Sequence, residues 1–413
     1  MPWAATNPCS SPQPPCPTPS NSPTPATTPA PVAPMFGERD VNKSLARWQD
    51  LFDRIAPPDH PDKYAELIRL TGGEPTLHPE LAKIVDHVDS LGIAHVLFTN
   101  GRWSAPSRII EIYQNRQNCL GMLISLHGST PAAHNTLVKD DNAFAETCAN
   151  IRRAADAGIE VFTNTILTKE SCEQVEDIIR LSSELGAEYA VFNRFLGGDN
   201  PHQPAKDQLR EAVLLIEELH RQGVSCRIGN CVPKCFAPNS TEGSNAGIEH
   251  CAISPQGLVR PDNLTDTVFG NIFEQSMTEI WQSEQAQQYR QQIASACLEC
   301  VELARCRGGD RSAALEQGRA QDPLMTGPLR EAEPETLHLD PTWKPIARFK
   351  IREESFGYLV TRYNWSIPIA FAAKPVLDAV NGKNTLAEIQ EKFGDEALDL
   401  IGRLYQEDCL GFE

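Results

Sequence analysis

Between residues 44 and 222 short apolar runs alternate with longer amphipathic stretches, and few folds accommodate that rhythm. The spacing predicts helix 44–56, strand 65–71, helix 79–91, strand 95–99, helix 106–115 and strand 121–126. Helix 143–157, strand 159–166, helix 172–185, strand 188–195 and helix 205–222 follow. Strands joined through single helices pair in parallel, because each crossover needs a helix to carry the chain back. About six units of this kind make an α/β partial barrel, and such sheets hold their chemistry at the carboxyl ends of the strands.

One strand end stands out. The apolar run at 66–70 stops at Thr71-Gly72-Gly73-Glu74-Pro75. Two glycines let a ligand approach the main chain, and a turn of this kind offers unpaired N–H and C=O groups to a small zwitterion. Other expected strand ends are polar as well: Thr99-Asn100-Gly101, Ser125-Leu126-His127-Gly128, Thr163-Asn164-Thr165 and Asn193-Arg194. His127, His134 and His250 are open to either acid–base or structural roles.

Composition narrows the partners. A formal net charge of −18 over 413 residues argues against nucleic acid and against an anionic membrane surface, since both need a basic face. No apolar run reaches the roughly 18 residues of a membrane span. No basic residue precedes Arg39 and there is no apolar h-region, so no secretory signal is expected and the cytosol is the expected compartment. Thirteen cysteines in such a compartment favour metal ligation over disulfides. Six of them, Cys231, Cys235, Cys251, Cys297, Cys300 and Cys306, fall within 76 residues. Thiolates are soft ligands suited to iron–sulfur clusters or zinc.

These residues resemble the radical SAM superfamily, in which a partial (β/α)6 barrel holds S-adenosylmethionine against a [4Fe-4S] cluster. Leu70-Thr71-Gly72-Gly73-Glu74-Pro75 is similar to that family's Gly-Gly-Glu-Pro motif, and the likeness continues through Phe98-Thr99-Asn100-Gly101 and Ile124-Ser125-Leu126-His127-Gly128. The resemblance implies that Gly72, Gly73, Glu74, Pro75 and Asn100 cradle the cofactor, with Ser125, Asn164 and Arg194 near its ribose and carboxylate. It names no catalytic side chain. Cys251-x10-Asp262, then Cys297-x2-Cys300-x5-Cys306-x3-Asp310, resembles the SPASM or twitch extension of peptide-modifying members, which carries auxiliary [4Fe-4S] clusters. That family has cysteine where this chain has Asp262 and Asp310, so one auxiliary cluster is expected rather than two. Its expected ligands are Cys235, Cys251, Cys297 and Cys300, with Cys306 competing; zinc on the same thiolates is the alternative.

The family's SAM-binding cluster uses Cys-x3-Cys-x2-Cys after the first strand. Here residues 3–7 read as that strand, and Cys9-x3-Gln13-x2-Cys16 keeps the outer cysteines but has glutamine in the middle. Twelve prolines among residues 1–34 predict a low-complexity segment. A degenerate member, a mis-joined or out-of-frame segment over 8–34, and a cluster helped by an outside ligand are all compatible with it.

Residues 344–413 resemble the PqqD-like domain, or RiPP recognition element, which binds a precursor-peptide leader by strand addition. The expected edge lies within 347–363. Nine Lys/Arg against eleven Asp/Glu in 341–413 weaken a DNA-binding reading of this winged-helix-like α+β domain. The expected organisation is therefore a segment at 1–34, a barrel at 35–224, a cysteine-rich α+β extension at 225–325, a linker at 326–343 and the peptide-binding domain. The resemblance implies a 5′-deoxyadenosyl radical acting on a ribosomally made peptide, with a flavodoxin or ferredoxin as reductant. A non-catalytic peptide-binding partner is the alternative.

Overall fold

The computed structural model describes residues 18–22, 44–56, 65, 67–196, 200–240, 243–330, 339–354, 357–362, 365–406 and 409–412. The chain divides into two compact units, one spanning 17–331 and the other containing 332–413.

The larger unit runs β1 (Thr18–Ser22), α1 (Leu45–Ile55), β2 (Leu67–Gly72), α2 (Leu81–Ser90), β3 (Ala94–Thr99), α3 (Pro106–Tyr113) and β4 (Cys119–Ser125). It continues with α4 (Pro131–Val138), α5 (Ala143–Asp156), β5 (Val161–Leu167), α6 (Val175–Glu184), β6 (Tyr189–Arg194), α7 (Lys206–Arg221) and β7 (Cys226–Ile228). Strands β2 to β7 pair in order and in parallel as a six-stranded partial barrel; β2 to β6 are the five strands expected between 65 and 195, and β7 is an addition that the alternation did not predict. The helices supply the outer layer through single apolar stripes. In α1, Trp48, Leu51, Phe52 and Ile55 recur at helical spacing and are all buried.

Two departures come from local chemistry. Helix α4 was not expected between 126 and 143; the Thr130 hydroxyl caps it at Ala133 N, and Pro131 opens it. The strand beside β2 is β1, in register from Thr18 opposite Ile68 to Ser22 opposite Gly72. The expected first strand at 3–7 lies outside the described residues, as do Cys9, Gln13 and Cys16.

Beyond β7 the sheet gains β8 (Ala252–Ile253), parallel to β1, then β9 (Leu258–Arg260) and β10 (Gly270–Asn271), both antiparallel to their neighbours. Helices α8 (Met277–Trp281), α9 (Glu284–Gln291), α10 (Leu303–Cys306) and α11 (Arg311–Glu316) complete this extension. Helices α8 and α9 are separate because the Ser283 hydroxyl caps Ala286 N and starts the second one.

The second unit contains β11 (Pro345–Ala347), β12 (Lys350–Glu354), β13 (Gly357–Arg362), β14 (Trp365–Ile369), α12 (Lys374–Ala379), α13 (Leu386–Phe393), α14 (Asp395–Gln406) and β15 (Leu410–Phe412). Its core gathers Val360, Ile367, Leu377, Ile389, Ile401 and Leu404, and Leu339 and Trp343 pack against it. β12, β13 and β14 form an antiparallel sheet with β13 in the middle. Among the described residues no helix is long and apolar enough to cross a membrane.

Candidate functional site

At the carboxyl end of β2 the chain turns through exposed Gly72, whose φ of 145° lies where only glycine is unstrained. Gly73 is exposed beside it, and Pro75 is buried as the first residue of a short 3₁₀ turn. Glu74 fixes this loop. Its buried carboxylate accepts the Thr76 hydroxyl at 2.6 Å, the Thr76 N–H at 3.2 Å, the Thr99 hydroxyl at 2.7 Å and the Asn100 N–H at 2.7 Å. Burial raises the Glu74 pKa, and the hydrogen bonds from Asn100, Thr76 and Thr99 oppose that shift. The Trp103 indole N–H donates to the Thr99 hydroxyl at 2.9 Å, so the ends of β2 and β3 are clamped together. The acid thus matters as a staple for the turn. Glu74→Ala leaves those buried donors unmet and is expected to cost about 2–3 kcal/mol, read from urea unfolding. Glu74→Gln retains one acceptor oxygen and is expected to cost less.

Strand alternation sorts the other polar ends. In β5 the pattern buries Val161, Thr163, Thr165 and Leu167 and leaves Phe162, Asn164 and Ile166 half-exposed on the other face. Ser125 is directly opposite Asn164 in register and is also half-exposed. Asn193 is half-exposed on β6 and donates to the Asn164 side-chain carbonyl. These three, with exposed Asn100, form the polar rim at the carboxyl ends of the strands. Asn193 was missed as a site residue, although its period-two relation to Val191, the register partner of Asn164, could have found it.

Arg194 has the opposite parity and is 2% exposed. Both terminal nitrogens donate to Asp322, at 2.9 Å each, and Asp310 lies 3.8 Å away. Burial works against its charge, but the Asp322 and Asp310 carboxylates outweigh this and raise its pKa. Its guanidinium is committed to this ion pair, and the geometry gives no support to a place at the cofactor. His127 and His134 stack 5.8 Å apart, and the His134 Nδ1 accepts the His127 N–H. Burial drives the two down to about 3 and about 4, so both are neutral structural groups at ordinary pH. Burial takes His250 down to about 3 as well.

The extension holds a second constellation. Cys235, Cys297, Cys300 and Cys306 line one small cavity with Leu303 and Met325. Burial raises the Cys297 thiol to about 11, and the thiols of Cys306, Cys300 and Cys235 reinforce the shift, so all four lie within electrostatic reach of it. Backbone amides point at the sulfurs: Thr326 N–H donates to Cys235 Sγ and Leu329 N–H to Cys300 Sγ, each at 3.4 Å, and Lys234, Gly309 and Gly308 donate to Cys306. Four thiols with amide donors suit a [4Fe-4S] cluster, whose sulfurs take such hydrogen bonds. Among the described residues no three His, Cys, Asp or Glu side chains lie close enough to hold a single metal ion.

Of the expected ligands, the cavity gathers Cys235, Cys297 and Cys300 with the competing Cys306, and not Cys251. Cys251 is buried in the apolar core with Phe269 and Tyr289, where burial raises its thiol to about 12. Cys306 stands in its place because the left-handed Arg307 (φ 59°) ends α10 immediately after it and brings Gly308 and Gly309 back over its sulfur. Cys231 lies beside Asp310, Cys306 and Asp322, with its thiol raised chiefly by burial.

Asp262 and Asp310 are part of a buried polar network. Asp262 accepts the N–H groups of Leu264 and Thr265, and burial, then the nearby Asp310, raises it to about 6. A carboxyl raised in the folded state contributes stability below its unfolded pKa near 4 and loses it as pH rises through about 6. Asp262→Asn keeps the acceptor oxygen and removes the titration. It is expected to gain up to about 3 kcal/mol on the native chain at pH 7.5 and nothing at pH 4, by urea unfolding at both pH values.

A parallel sheet with a glycine-rich polar mouth, followed by a thiol-lined extension, defines a cofactor-binding partial-barrel protein with an auxiliary metal site. Comparison with known proteins gives that class its name. Residues 44–182 match the Radical SAM superfamily, and residues 245–302 match SPASM, an iron-sulfur cluster-binding domain. The chain is 24% identical over 302 residues to the AdoMet-dependent heme synthase of Methanosarcina barkeri, covering 66% of this chain and 82% of that protein. It is 25% identical over 309 residues to the mycofactocin maturase MftC of Mycobacterium ulcerans, covering 69% and 80%. The fold is similar to that of SuiB from Streptococcus suis bound to precursor peptide SuiA, with a TM-score of 0.58 at 15% identity over 77% of this chain and 75% of that one. The chain carries radical SAM and SPASM domains, whose cofactors are S-adenosylmethionine and [4Fe-4S] clusters.

The two sites fit those cofactors unequally. The Gly72–Gly73 turn and the quartet suit S-adenosylmethionine and an auxiliary cluster. The barrel cluster finds no such match, since the sequence has no cysteine between Ser22, where β1 ends, and Cys119.

Proposed function

We propose that this chain serves the maturation of a ribosomally made precursor peptide, as a radical SAM and SPASM protein whose barrel cluster lacks a thiolate. The observation that carries this reading is the convergence of Cys235, Cys297, Cys300 and Cys306 on one cavity, in a chain whose β2 turn is intact. In this reading Gly72, Gly73, Glu74 and Pro75 shape the cradle for the amino-acid end of S-adenosylmethionine, and Asn100, Ser125, Asn164 and Asn193 orient the rest. A complete barrel cluster, supplied with an electron by a reducing partner such as a flavodoxin or ferredoxin, would cleave the bound cofactor to a hydrogen-abstracting radical. The side chains around it exclude water and hold the peptide.

The domain arrangement is part of the proposal: a segment at 1–34, the barrel at 35–224, the extension at 225–325, a linker at 326–343 and a PqqD-like domain at 344–413. The open sheet of that last domain supports leader binding by strand addition. β13 is paired on both sides, so β12, with Ile351 38% exposed, and β14 are the available edges. The names of MftC, a maturase, and of SuiB bound to its precursor peptide agree with this reading. Hydrogen exchange on the full chain with peptides encoded beside it tests the docking: amides of β12 or β14 slow when the cognate leader binds. No slowing with any of them contradicts it.

A second reading, a non-catalytic peptide-binding partner, is favoured by Gln13 and by the place of β1. Cys9 and Cys16 precede that strand in the chain, whereas the family's cluster cysteines follow it.

A further inference from the structure

The parallel strands bury one face beneath the helices and leave the other half-open. On β7, Cys226 and Ile228 are 0% and 1% exposed and pack into the helix-covered core, so Arg227 between them belongs to the opposite face. The register carries that face from strand to strand: Arg227 is opposite Val191, Val191 opposite Asn164, and Asn164 opposite Ser125. The same face carries Phe98, Leu123, Phe162, Ile166 and Tyr189, all half-exposed. Apolar surface left open over four strands marks a binding face.

The charge on that face is one-sided in a chain of net charge −18. From β2 to β7 it presents Arg69 and Arg227 and no Asp or Glu among the described residues. Arg69 lies over the Phe98 ring, 5.3 Å from its centre. Arg227 is half-buried and makes no hydrogen bond or ion pair among the described residues: its guanidinium lies 5.8 Å from the centre of the Tyr189 ring, and its Nε is buried without a partner. Glu217 belongs to the other face, where it is buried on α7 and acts on the Cys226 thiol. Glu160 and Glu188 stand before β5 and β6, at their amino ends, and are exposed to water.

A half-buried guanidinium beside an aromatic ring, with no carboxylate of its own, is ready to take an incoming one through two parallel hydrogen bonds. The carboxylate of S-adenosylmethionine does not fill that role. It shares a carbon with the amino group assigned to the β2 turn, and β7 is five strands further on, roughly 24 Å along the sheet. A peptide C-terminus is captured by clustered main-chain amides. Here the main chain of β6 and β7 is paired, Ala190 N–H with the Ser225 carbonyl and Gly229 N–H with the Phe192 carbonyl. We propose that Arg227 binds a side-chain carboxylate of the precursor peptide, and so selects for an acidic residue in the segment that the barrel holds. The proposal rests on the peptide-directed reading above, with the open apolar residues taking the side chains that flank the acid.

Fluorescence anisotropy on the full chain tests this with three labelled peptides: Leu-Phe-Glu-Phe-Leu amide, Leu-Phe-Gln-Phe-Leu amide, and Leu-Phe-Gln-Phe-Leu with a free terminal carboxylate. The Glu peptide is expected to bind about tenfold tighter than either Gln peptide. Arg227→Gln is expected to abolish that difference, Arg227→Lys to keep part of it, and saturating S-adenosylmethionine to leave it intact. Removing Arg227 leaves no buried partner behind, so Arg227→Gln is expected to fold, which its unfolding curve verifies. Equal or absent binding of the three peptides, a preference that survives Arg227→Gln, tighter binding of the terminal acid than of the Glu peptide, or loss of the preference on adding S-adenosylmethionine overturns the proposal. Leader docking is read separately from the amides of β12 and β14. Leader protection without Glu preference therefore sinks this proposal alone, and Glu preference without leader protection sinks the leader-docking reading alone.

Discussion

Cys306→Ala is expected to lose nearly all of the iron and sulfide that the extension takes up on anaerobic reconstitution, whereas Cys251→Ala is expected to keep them. The contrast follows from placement. Cys306 shares a cavity with Cys235, Cys297 and Cys300 and takes amide hydrogen bonds on its sulfur, while Cys251 is packed among Phe269 and Tyr289. A [4Fe-4S] cluster needs about four thiolates, so removing one of the quartet removes about four irons per chain. Cys251→Ala deletes only one small buried group and is expected to cost about 1 kcal/mol of stability with the iron count intact. Iron and acid-labile sulfide analysis of the two variants reads the difference. Equal losses from both would return Cys251 to the ligand set.

The second large effect is at Asp322. Asp322→Ala leaves the Arg194 guanidinium buried with the more distant Asp310 and is expected to destabilise the barrel by about 3–5 kcal/mol. Asp322 also accepts the N–H groups of Asp310 at 2.8 Å and Leu324 at 2.9 Å, so the pair ties β6 to the segment after α11. Arg194→Met with Asp322→Leu removes both charges and is expected to be less destabilised than the single Asp322→Ala variant, because no unpaired charge stays buried. Urea unfolding of the three variants measures this. A loss below about 1 kcal/mol for Asp322→Ala would mean that water reaches Arg194 and compensates it.

The barrel was legible because a parallel sheet writes itself as alternating elements, and β2 to β6 follow that alternation closely; three-residue β7 is too short to show a pattern of its own. Helix α4 was not, since Pro131-Ala-Ala-His-Asn-Thr-Leu-Val is short and only weakly amphipathic. Of the site, the glycine turn was legible from the residues, because exposed Gly72 needs a φ that few other residues adopt. Arg194 misled, because one position along a strand exchanges the mouth of the sheet for its buried face, and the polar pair Asn193-Arg194 looks alike from either side. That Cys306 rather than Cys251 lines the cavity of Cys235, Cys297 and Cys300 depends on contacts across the extension that spacing does not contain. The Cys297-x2-Cys300 pair, by contrast, follows from a single turn in which Cys300 N–H meets the Cys297 carbonyl.

Glu74 was expected in the cradle, and the structure turns its carboxylate inward to hold Thr76, Thr99 and Asn100. What faces outward at that turn is main chain and glycine, which suits a small zwitterion better than a second carboxylate would.

The central claim is that the scaffold for radical chemistry is in place and that one loop is not. It is tested by measuring 5′-deoxyadenosine from S-adenosylmethionine after anaerobic reconstitution and reduction. Two chains are compared: the native one, and one in which a Cys-x3-Cys-x2-Cys loop follows β1. The account predicts no product above background from the native chain and turnover from the chain with the loop. Turnover by the native chain, or silence from both, would contradict it.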